Sequence, residues 1–254
     1  MQQPFNKALI KRDFNRYSDS YDQYAALQKR TAQEVAKNVY NTIPQGSHIL
    51  DIGCGTGYIA QSLAKTYGIT QLDIAYNMCQ KAQSYAPVVN ADIEAYPFAI
   101  GHFDGAVSSL SMQWATDIPQ WLRVTKSSTE NGVYIASIFS NNTLHQLSKS
   151  FYNTVGYSHV VHPVSSDQML SLCKEAGYNI VCSYIVKETT YHPTLMDLLR
   201  HIKYIGAANK LPDRQQSLTR TDLQKTELYY RTHYAENGML PADWYINHLI
   251  LQSP

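Results

Sequence analysis

The hydrophobic residues of this chain follow two periods, one typical of helices and one typical of buried strands. Between Thr31 and Tyr40, apolar side chains recur at the i, i+3, i+4, i+7 spacing of an amphipathic helix. From residue 48 onwards, short apolar runs typical of buried strands alternate with stretches of helical spacing. This order is typical of a parallel sheet with helices on both faces, so it predicts a three-layer α/β fold.

The same pattern predicts where the individual elements lie. Strands are predicted at His48–Ile52, Ile69–Asp73, Val88–Asn90, Gly105–Leu110, Val133–Phe139, Ile180–Val186 and Trp244–Leu251. Helices are predicted at Thr31–Tyr40, Tyr58–Lys65, Tyr76–Tyr85, Ile118–Thr125 and Asp167–Ala176, with one more between residues 141 and 163.

One long segment, residues 191–237, interrupts the alternation before the last strand. It contains two helical stretches, Leu195–Ile205 and Asp222–Tyr234, separated by Leu211–Asp213. An insertion at this point can cover the carboxyl ends of the strands, so we predict that it forms a lid. The sequence contains no repeat and no Gly/Ser-rich linker, so we expect residues 1–254 to form a single domain.

Composition favours a soluble globular protein with a continuous core. The 254 residues include 21 Lys or Arg and 20 Asp or Glu, and 44% are hydrophobic. No apolar run approaches the roughly 20 residues of a membrane-spanning helix, and the chain does not open with a signal-peptide pattern. The four cysteines form no CxxC pair, so we expect free thiols, a cytoplasmic location and no bound metal.

The charges are distributed unevenly along the chain. Residues 1–37 contain seven Lys or Arg against four Asp or Glu, and residues 191–237 contain seven against five. If these segments meet, they form a mildly basic face, although ordinary solvated helices have the same composition. A net charge of +1 without a dense basic and aromatic patch argues against a nucleic-acid partner.

The most informative local sequence is the run from Ile49 to Gly57, in which a predicted strand enters a glycine-rich turn. Glycines at positions 53, 55 and 57 let the backbone approach a ligand closely. The turn does not fit the dinucleotide pattern G-x-G-x-x-G, because Tyr58 stands where the third glycine is required. It also lacks the Gly-Lys-Ser/Thr of a P-loop, so we expect a cofactor-binding turn of another kind.

Leu50–Gly57 resembles motif I of the class I S-adenosylmethionine (SAM)-dependent methyltransferases, and later segments resemble that family in order. Asp73 ends the predicted second strand, where the family's acidic residue binds the ribose hydroxyls. Asp92-Ile93 resembles the pair that contacts the adenine, and Phe103–Val107 resembles the motif leading into the fourth strand.

This resemblance implies a Rossmann-like class I methyltransferase sheet, mostly parallel with the last strand antiparallel, an N-terminal helical arm over residues 1–27, and SAM as the cofactor. It implies cofactor contacts from Gln28, Asp51, Gly53, Cys54, Gly55, Gly57, Asp73, Ile74, Asp92, Ile93 and Ser109.

Each acidic residue of this set also has a purely structural interpretation. Asp73 alone fits a strand-end cap, Asp92 fits an N-cap or an Asx turn, and Asp51 fits an acceptor that stabilises the loop. Four matches at the expected intervals together favour the cofactor site.

A narrower resemblance covers discontinuous segments over nearly the whole chain. Phe14–Gln28 resembles the N-terminal signature of the malonyl-acyl-carrier-protein O-methyltransferases of biotin synthesis, and Leu110–Trp114, Leu199–Ala207 and Leu218–Leu223 resemble further segments of that family. The resemblance implies methylation of the free carboxylate of a malonyl thioester, carried on acyl-carrier protein or coenzyme A. Such a carboxylate is ionised at neutral pH, so no general base is required.

Four residues are candidates to hold this substrate. Tyr21, Arg200 and Lys203 are candidates to orient the carboxylate, and Trp114 is a candidate aromatic wall. Core packing is the alternative for Tyr21, and a solvent-facing position on the lid is the alternative for Arg200. Two other functions stay open: methyl transfer to a quinone or another small molecule, and a SAM-binding regulatory protein that transfers nothing.

Overall fold

The protein is built around one seven-stranded sheet, shown by a computed structural model that describes residues 6–129, 132–158, 160, 163–206 and 218–253. The strands are β1 (His48–Ile52), β2 (Gly68–Asp73), β3 (Val88–Asn90), β4 (Gly105–Ser109), β5 (Val133–Phe139), β6 (Asn179–His192) and β7 (Leu240–Gln252). The helices are α1 (Lys7–Tyr24), α2 (Ala26–Thr42), α3 (Tyr58–Leu63), α4 (Tyr76–Ala82), α5 (Ile118–Ser128), α6 (His145–Val155), α7 (Ser166–Glu175), α8 (Leu195–Tyr204) and α9 (Arg220–Tyr234).

The strand order and directions confirm the predicted sheet. The order is β3-β2-β1-β4-β5-β7-β6, with β1 to β5 parallel and β7 antiparallel to both of its neighbours. β1 lies inside the sheet, and its residues alternate between two cores: Leu50 and Ile52 pack on one face, and Ile49 packs on the other. A strand buried on both faces needs a continuous apolar run, which is why the sequence pattern predicted β1 well.

Six strand ends differ from the prediction; three of them, at the start of β2, the start of β6 and the end of β7, differ by a single residue. The other three have local reasons. β6 continues to His192 because it forms the edge of the sheet, where polar side chains can face solvent. β7 begins at Leu240 and pairs with β6 along its length. The strand predicted to reach Leu110 ends at Ser109, since Leu110 has φ +50° and turns the chain out of the sheet.

The N-terminal arm and the lid pack against each other at the carboxyl ends of the strands. The ring of Tyr17 on α1 meets the edge of Tyr204 on α8, with centroids 5.3 Å apart. Gly206, at φ +73°, packs so closely on Phe14 that a Cβ would lie 2.5 Å from its ring. The predicted connection Leu211–Asp213 lies outside the described residues. Within the described ranges, no helix combines the length and the apolarity that crossing a bilayer requires.

Candidate active site

Three glycines shape the turn that follows β1. Gly53, Gly55 and Gly57 have φ values of +71°, +56° and +90°, in the left-handed region that glycine adopts without strain. A Cβ on Gly53 would lie 1.8 Å from Oγ of Ser111, whereas a Cβ on Gly55 would meet nothing within 4 Å. Gly53 therefore permits close packing, and Gly55 borders open space in which a ligand can lie.

Asp73 connects this turn to the end of β2. Its Oδ2 accepts a hydrogen bond from the backbone N–H of Gly55 (2.9 Å), and its Oδ1 accepts one from that of Ala75 (2.8 Å). Asp73 is thus a strand-end cap, but each carboxylate oxygen can accept a second hydrogen bond. Burial raises the pKa of Asp73, and the backbone N–H groups oppose that shift. Two ribose hydroxyls can use the remaining lone pairs.

A cleft of about 870 Å³, open to solvent, begins at this turn. The carboxyl ends of β1, β2 and β4 form one wall and α1 forms the opposite one. Eight of the residues predicted to contact the cofactor line this cleft: Gln28, Gly53, Gly55, Asp73, Ile74, Asp92, Ile93 and Ser109.

The other three predicted cofactor residues, Asp51, Cys54 and Gly57, do not line the cleft. Asp51 is fully buried, and neither of its carboxylate oxygens has a hydrogen-bond partner among the described residues. Burial, and then the charge of Asp73, raises the pKa of Asp51 to about 8. Burial also raises the pKa of the Cys54 thiol. Gly57 serves packing, because a Cβ there would lie 2.8 Å from the ring of Tyr85.

At the predicted adenine end of the cleft, Asp92 belongs to a network of charged groups. Its Oδ1 accepts a hydrogen bond from the backbone N–H of Glu94 (3.0 Å), as an N-cap does. Its Oδ2 lies 2.5 Å from Nζ of Lys7, which also forms an ion pair with Glu94. Lys7 could not be predicted from local sequence, because its contact with Asp92 joins residues 85 positions apart.

One face of α1 lines the cleft from end to end. Lys7, Ile10, Phe14 and Tyr21 all contribute to the wall. The Phe14 ring lies edge-on to Trp114, with centroids 6.2 Å apart, and 6.3 Å from the ring of Tyr21. Burial raises the pKa of Tyr21 far above its ordinary value, so its hydroxyl stays protonated and can donate a hydrogen bond.

The structure brings Tyr21 and Trp114 to the cleft but does not bring Arg200 and Lys203 there. The buried face of α8 presents Leu195, Leu198 and Ile202, so the two basic residues lie on its exposed side. Arg200 is 53% exposed and its Nη1 lies 2.7 Å from Oδ1 of Asp197. Nζ of Lys203 lies 5.8 Å from the centroid of the Tyr17 ring. Arg200 therefore occupies the solvent-facing position on the lid that was the alternative to orienting the substrate carboxylate.

Two glutamines in the cleft wall have unused acceptors. Nε2 of Gln113 donates to the carbonyl of Leu110 (2.9 Å), which can only accept, so Oε1 of Gln113 must face the other way. That atom and Oε1 of Gln28 are buried without a hydrogen-bond partner within the described part of the chain. Gln28 was predicted from the resemblance. Gln113 was not predicted, since the sequence does not show which atom of its side-chain amide lacks a hydrogen-bond partner.

The chemistry of these groups fits SAM. The cofactor has donors in its ribose hydroxyls, its exocyclic amine and its ammonium group, and it has a second positive charge on sulfur. Along one cleft, Asp73, Asp92, Gln28 and Gln113 provide carboxylate and amide acceptors. Buried acceptors without donors are unfavourable, so a ligand that supplies donors is bound with a gain in free energy.

Comparison with known proteins identifies the class. Residues 49–132 match the family model described as a methyltransferase domain. Among solved structures, the YcgJ protein of Bacillus subtilis superposes with a TM-score of 0.58 over 87% of this chain and 97% of that one, at 12% identity. A phosphoethanolamine N-methyltransferase of Haemonchus contortus, solved with S-adenosylhomocysteine, gives a TM-score of 0.54 over 87% of this chain and 52% of that one, at 17% identity. At these identities the likeness shows the fold.

Similarity to curated proteins extends over nearly the whole chain. The malonyl-[acyl-carrier protein] O-methyltransferase of Erwinia billingiae is 31% identical over 90% of this chain and 91% of that protein. The biotin biosynthesis bifunctional protein BioHC of Saccharophagus degradans is 32% identical over 94% of this chain, which spans only 45% of that longer protein. The mitochondrial arginine-hydroxylase NDUFAF5 of Rattus norvegicus is 32% identical over 88% of this chain and 69% of that protein.

The fold, the glycine-rich turn and the acceptors along the cleft define a SAM-binding enzyme of the class I type. The chain belongs to the SAM-dependent methyltransferase family, and SAM is its cofactor.

Proposed function

We propose that this methyltransferase transfers the methyl group of SAM to the free carboxylate of a malonyl thioester on an acyl-carrier protein. The observation that carries the proposal is the similarity to the Erwinia billingiae enzyme over 90% of this chain and 91% of that protein. The arm and the lid meet at the cleft, where Phe14 of the arm contacts Gly206 at the end of the lid's first helix.

The expected role of the protein is to align and desolvate reactants that are already reactive. SAM supplies a methyl group on a positively charged sulfur when it is bound. A malonyl carboxylate is ionised at neutral pH and can attack that methyl without a general base. In-line placement of two reactants lowers a barrier by about 7–11 kcal/mol in intramolecular models. Phe14, Trp114, Phe139 and Ile205 give the cleft apolar walls that exclude water.

A neutral donor is expected to hold the substrate carboxylate. Among the described residues that line the cleft, Lys7 is the only cation, and it is already paired with Asp92 and Glu94. The Tyr21 hydroxyl remains protonated and borders the same cleft, so it is our candidate to orient the carboxylate. A hydrogen bond from a neutral hydroxyl positions an oxygen while reducing its nucleophilicity less than a guanidinium does.

The basic residues of the arm and lid are assigned a different role, docking of the acidic carrier protein. Arg16 and Lys203 both lie near the ring of Tyr17, at 5.7 and 5.8 Å from its centroid. Arg200 lies one helical turn before Lys203 on α8 and is also exposed. This cluster stands where the arm meets the lid, beside the cleft, so a carrier protein bound there can extend its thioester towards Tyr21.

A substrate panel tests the proposal. Purified enzyme with methyl-labelled SAM is offered malonyl-carrier protein, malonyl-coenzyme A, acetyl-carrier protein and a demethyl quinone. The proposal requires label in an ester of the malonyl substrates and none in acetyl-carrier protein, which lacks the free carboxylate. Tyr21→Phe should reduce turnover about 10- to 100-fold with unchanged SAM affinity, since one hydrogen bond to a charged group is lost.

The other outcomes identify the alternatives. Labelled quinone indicates a small-molecule methyltransferase, and SAM binding without transfer to any acceptor indicates a regulatory protein. Because one relative is named an arginine-hydroxylase, a further sample contains an arginine peptide that is examined by mass spectrometry for an added oxygen. Any of these results without a malonyl ester rejects the proposed substrate.

A further inference from the structure

The first turn of α1 is attached to the cofactor cleft by an ion-pair network. Nζ of Lys7 contacts Oδ2 of Asp92 at 2.5 Å and also pairs with Glu94. Glu94 is itself fixed, because its carboxylate accepts hydrogen bonds from the backbone N–H (2.8 Å) and the hydroxyl (2.5 Å) of Thr116 and from the backbone N–H of Asp117 (3.1 Å). Lys7 therefore joins the first turn of α1 to carboxylates that further hydrogen bonds hold in place.

The remainder of α1 is held on the other side of the cleft. Oδ1 of Asn15 accepts a hydrogen bond from the backbone N–H of Asn77 (2.8 Å), and the Asn77 side chain donates to the Asn15 carbonyl (3.1 Å). Further along, Asp22 accepts hydrogen bonds from Thr56 and Tyr58, both at 2.8 Å. Lys7 thus lies more than one helical turn beyond these attachments, at the predicted adenine end.

The charges around Lys7 favour the position of α1 in this structure, in which the helix lies along the cleft; we call this position closed. The Lys7 side chain is 29% exposed and lies between two carboxylates. Burial lowers the pKa of Lys7, but its hydrogen bonds to Asp92 and Glu94 raise it more, so the ammonium stays charged. The same contacts hold the pKa of Glu94 below its ordinary value against the effect of burial. Without Lys7, two partly buried carboxylates would face the cleft with no cation beside them.

We propose that Lys7 is a positioning residue that holds α1 across the cofactor cleft, so that SAM binding and closure of the arm stabilise each other. Ile10 and Phe14 lie on the same face of α1 as Lys7 and line the cleft, so closure places them over the bound cofactor. Tyr21 is on the same helix, so closure also completes the wall of the substrate site. The inference rests on the cofactor site and is independent of which substrate is methylated.

Cofactor affinity is the first test, measured by calorimetry on the full chain with S-adenosylhomocysteine as the probe. Lys7→Ala should raise its Kd about five- to tenfold, and Lys7→Arg should restore most of the affinity because it keeps the charge. Lys11→Ala is the matched control, since Lys11 is an exposed residue of the same helix; its Kd should be unchanged. Glu94→Gln should weaken binding in the same direction as Lys7→Ala, and the double variant should be no weaker than the stronger single one.

Amide hydrogen exchange tests whether Lys7 couples the arm to the cofactor. If Lys7 only stabilised the fold, its replacement would not change how exchange in α1 responds to the cofactor. If arm closure strengthens cofactor binding, then by reciprocity the cofactor must slow amide exchange in α1. We expect this slowing in the natural protein and in Lys11→Ala, and its loss in Lys7→Ala, with exchange in β1 and β4 unaltered. An unchanged Kd in Lys7→Ala, an equal weakening by Lys11→Ala, or exchange in α1 that does not respond to the cofactor would each overturn the inference.

Discussion

At the scale of single residues, Asp73 combines an observed structural contact with a predicted cofactor contact. Its carboxylate accepts hydrogen bonds from the backbone N–H groups of Gly55 and Ala75, and we predict that its remaining lone pairs bind the ribose hydroxyls. We predict that Asp73→Ala weakens SAM binding by about 2–4 kcal/mol, because two hydrogen bonds to a charged acceptor are lost. Calorimetry measures the affinity, and thermal unfolding verifies that the variant is folded.

Asp167→Ala is the control for this change, since Asp167 is an exposed acidic residue in the first turn of α7. Its SAM affinity should equal that of the natural protein. A folded Asp73→Ala variant with unchanged affinity would remove Asp73 from the cofactor site.

The raised pKa of Asp51 leads to a prediction about the number of protons released when SAM binds. Its pKa is raised to about 8 by burial and by Asp73, so the cofactor-free protein holds it largely protonated at neutral pH. SAM has a positive sulfonium and a positive ammonium group against one carboxylate, so it brings net positive charge to the neighbouring turn, and a nearby cation favours the ionised carboxylate of Asp51. Binding should therefore release up to about one proton per SAM at neutral pH.

Calorimetry in two buffers with different ionisation enthalpies counts these protons. Asp51→Asn should abolish most of the release, since it has no titrating carboxyl group. Equal proton release in the variant and the natural protein would assign the effect to another group.

At the scale of elements, local pattern and tertiary contact account for different parts of the structure. β1 and β5 were predicted to the residue, because strands inside a sheet that is covered on both faces need short apolar runs. The short edge strand β3 was also predicted to the residue. The glycine-rich turn and Asp73 were also recognisable, since their roles depend on neighbours in the chain. The end of β6 was missed because an edge strand tolerates polar residues, and its pairing with β7 decides its length.

Contacts between distant segments explain why the site was only partly predicted. Lys7 reaches Asp92 only because α1 folds across the strand ends, and no local pattern encodes that crossing. Arg200 carried the correct chemistry for a carboxylate, but the rotation of α8 about its axis is fixed by the burial of Leu198 and Ile202. A sequence indicates which residue types are present, whereas packing decides which of them face the cleft.

The junction of β6, α8 and the arm contains two neighbouring histidines, the buried His192 and the half-buried His201, from which we predict a pH dependence of stability. The rings of His192 and His201 lie 5.1 Å apart, and His201 contacts the carbonyl of Tyr24 through Nε2 (2.9 Å). Burial, and then the charge of His201, lowers the pKa of His192 from 6.5 to about 4. As the pH falls through this window, the unfolded chain gains a proton that the folded chain does not, so the free energy of unfolding falls by about 3 kcal/mol.

Urea denaturation at a series of pH values measures this effect. His192→Gln keeps a polar group near Thr190, which now contacts Nε2 of His192 at 2.9 Å. The variant should lose less stability than the natural protein between pH 6.5 and 4, with the two curves parallel above pH 6.5. If the free energy of unfolding fell equally in both proteins between pH 6.5 and 4, the lowered pKa of His192 would not be the cause of the acid sensitivity.

At the scale of the whole molecule, the chain is nearly neutral, but basic residues lie where the arm meets the lid. The two basic segments of the sequence come together in the structure, since Arg16 of the arm and Lys203 of the lid lie near the same Tyr17 ring. Tyr204 packs edge-on against that ring, so an aromatic contact between α1 and α8 joins the two segments that carry these cations. The cofactor cleft itself is acidic at Asp73, Asp92 and Glu94. The cofactor cleft and the proposed docking surface for the carrier protein therefore differ in the sign of their charge.

This separation allows the docking role to be tested without disturbing the cofactor site. Reversing Arg16 and Lys203 to Glu should lower kcat/KM for malonyl-carrier protein about tenfold at low ionic strength, because attraction of an acidic partner becomes repulsion. The difference should shrink as salt is added, since exposed charges are screened. Malonyl-coenzyme A is a smaller acceptor without the protein surface, so its turnover should change less, and SAM affinity should stay the same.

The matched control reverses Lys149 and Lys174, two exposed lysines on α6 and α7, which changes the net charge equally at other places. If only net charge governed association, both double variants would slow malonyl-carrier turnover to the same extent. A local docking surface requires the arm and lid variant to be slower than the control and more sensitive to salt. Indifference of both variants to ionic strength would assign Arg16 and Lys203 to the solvated surface and leave carrier recognition to other residues.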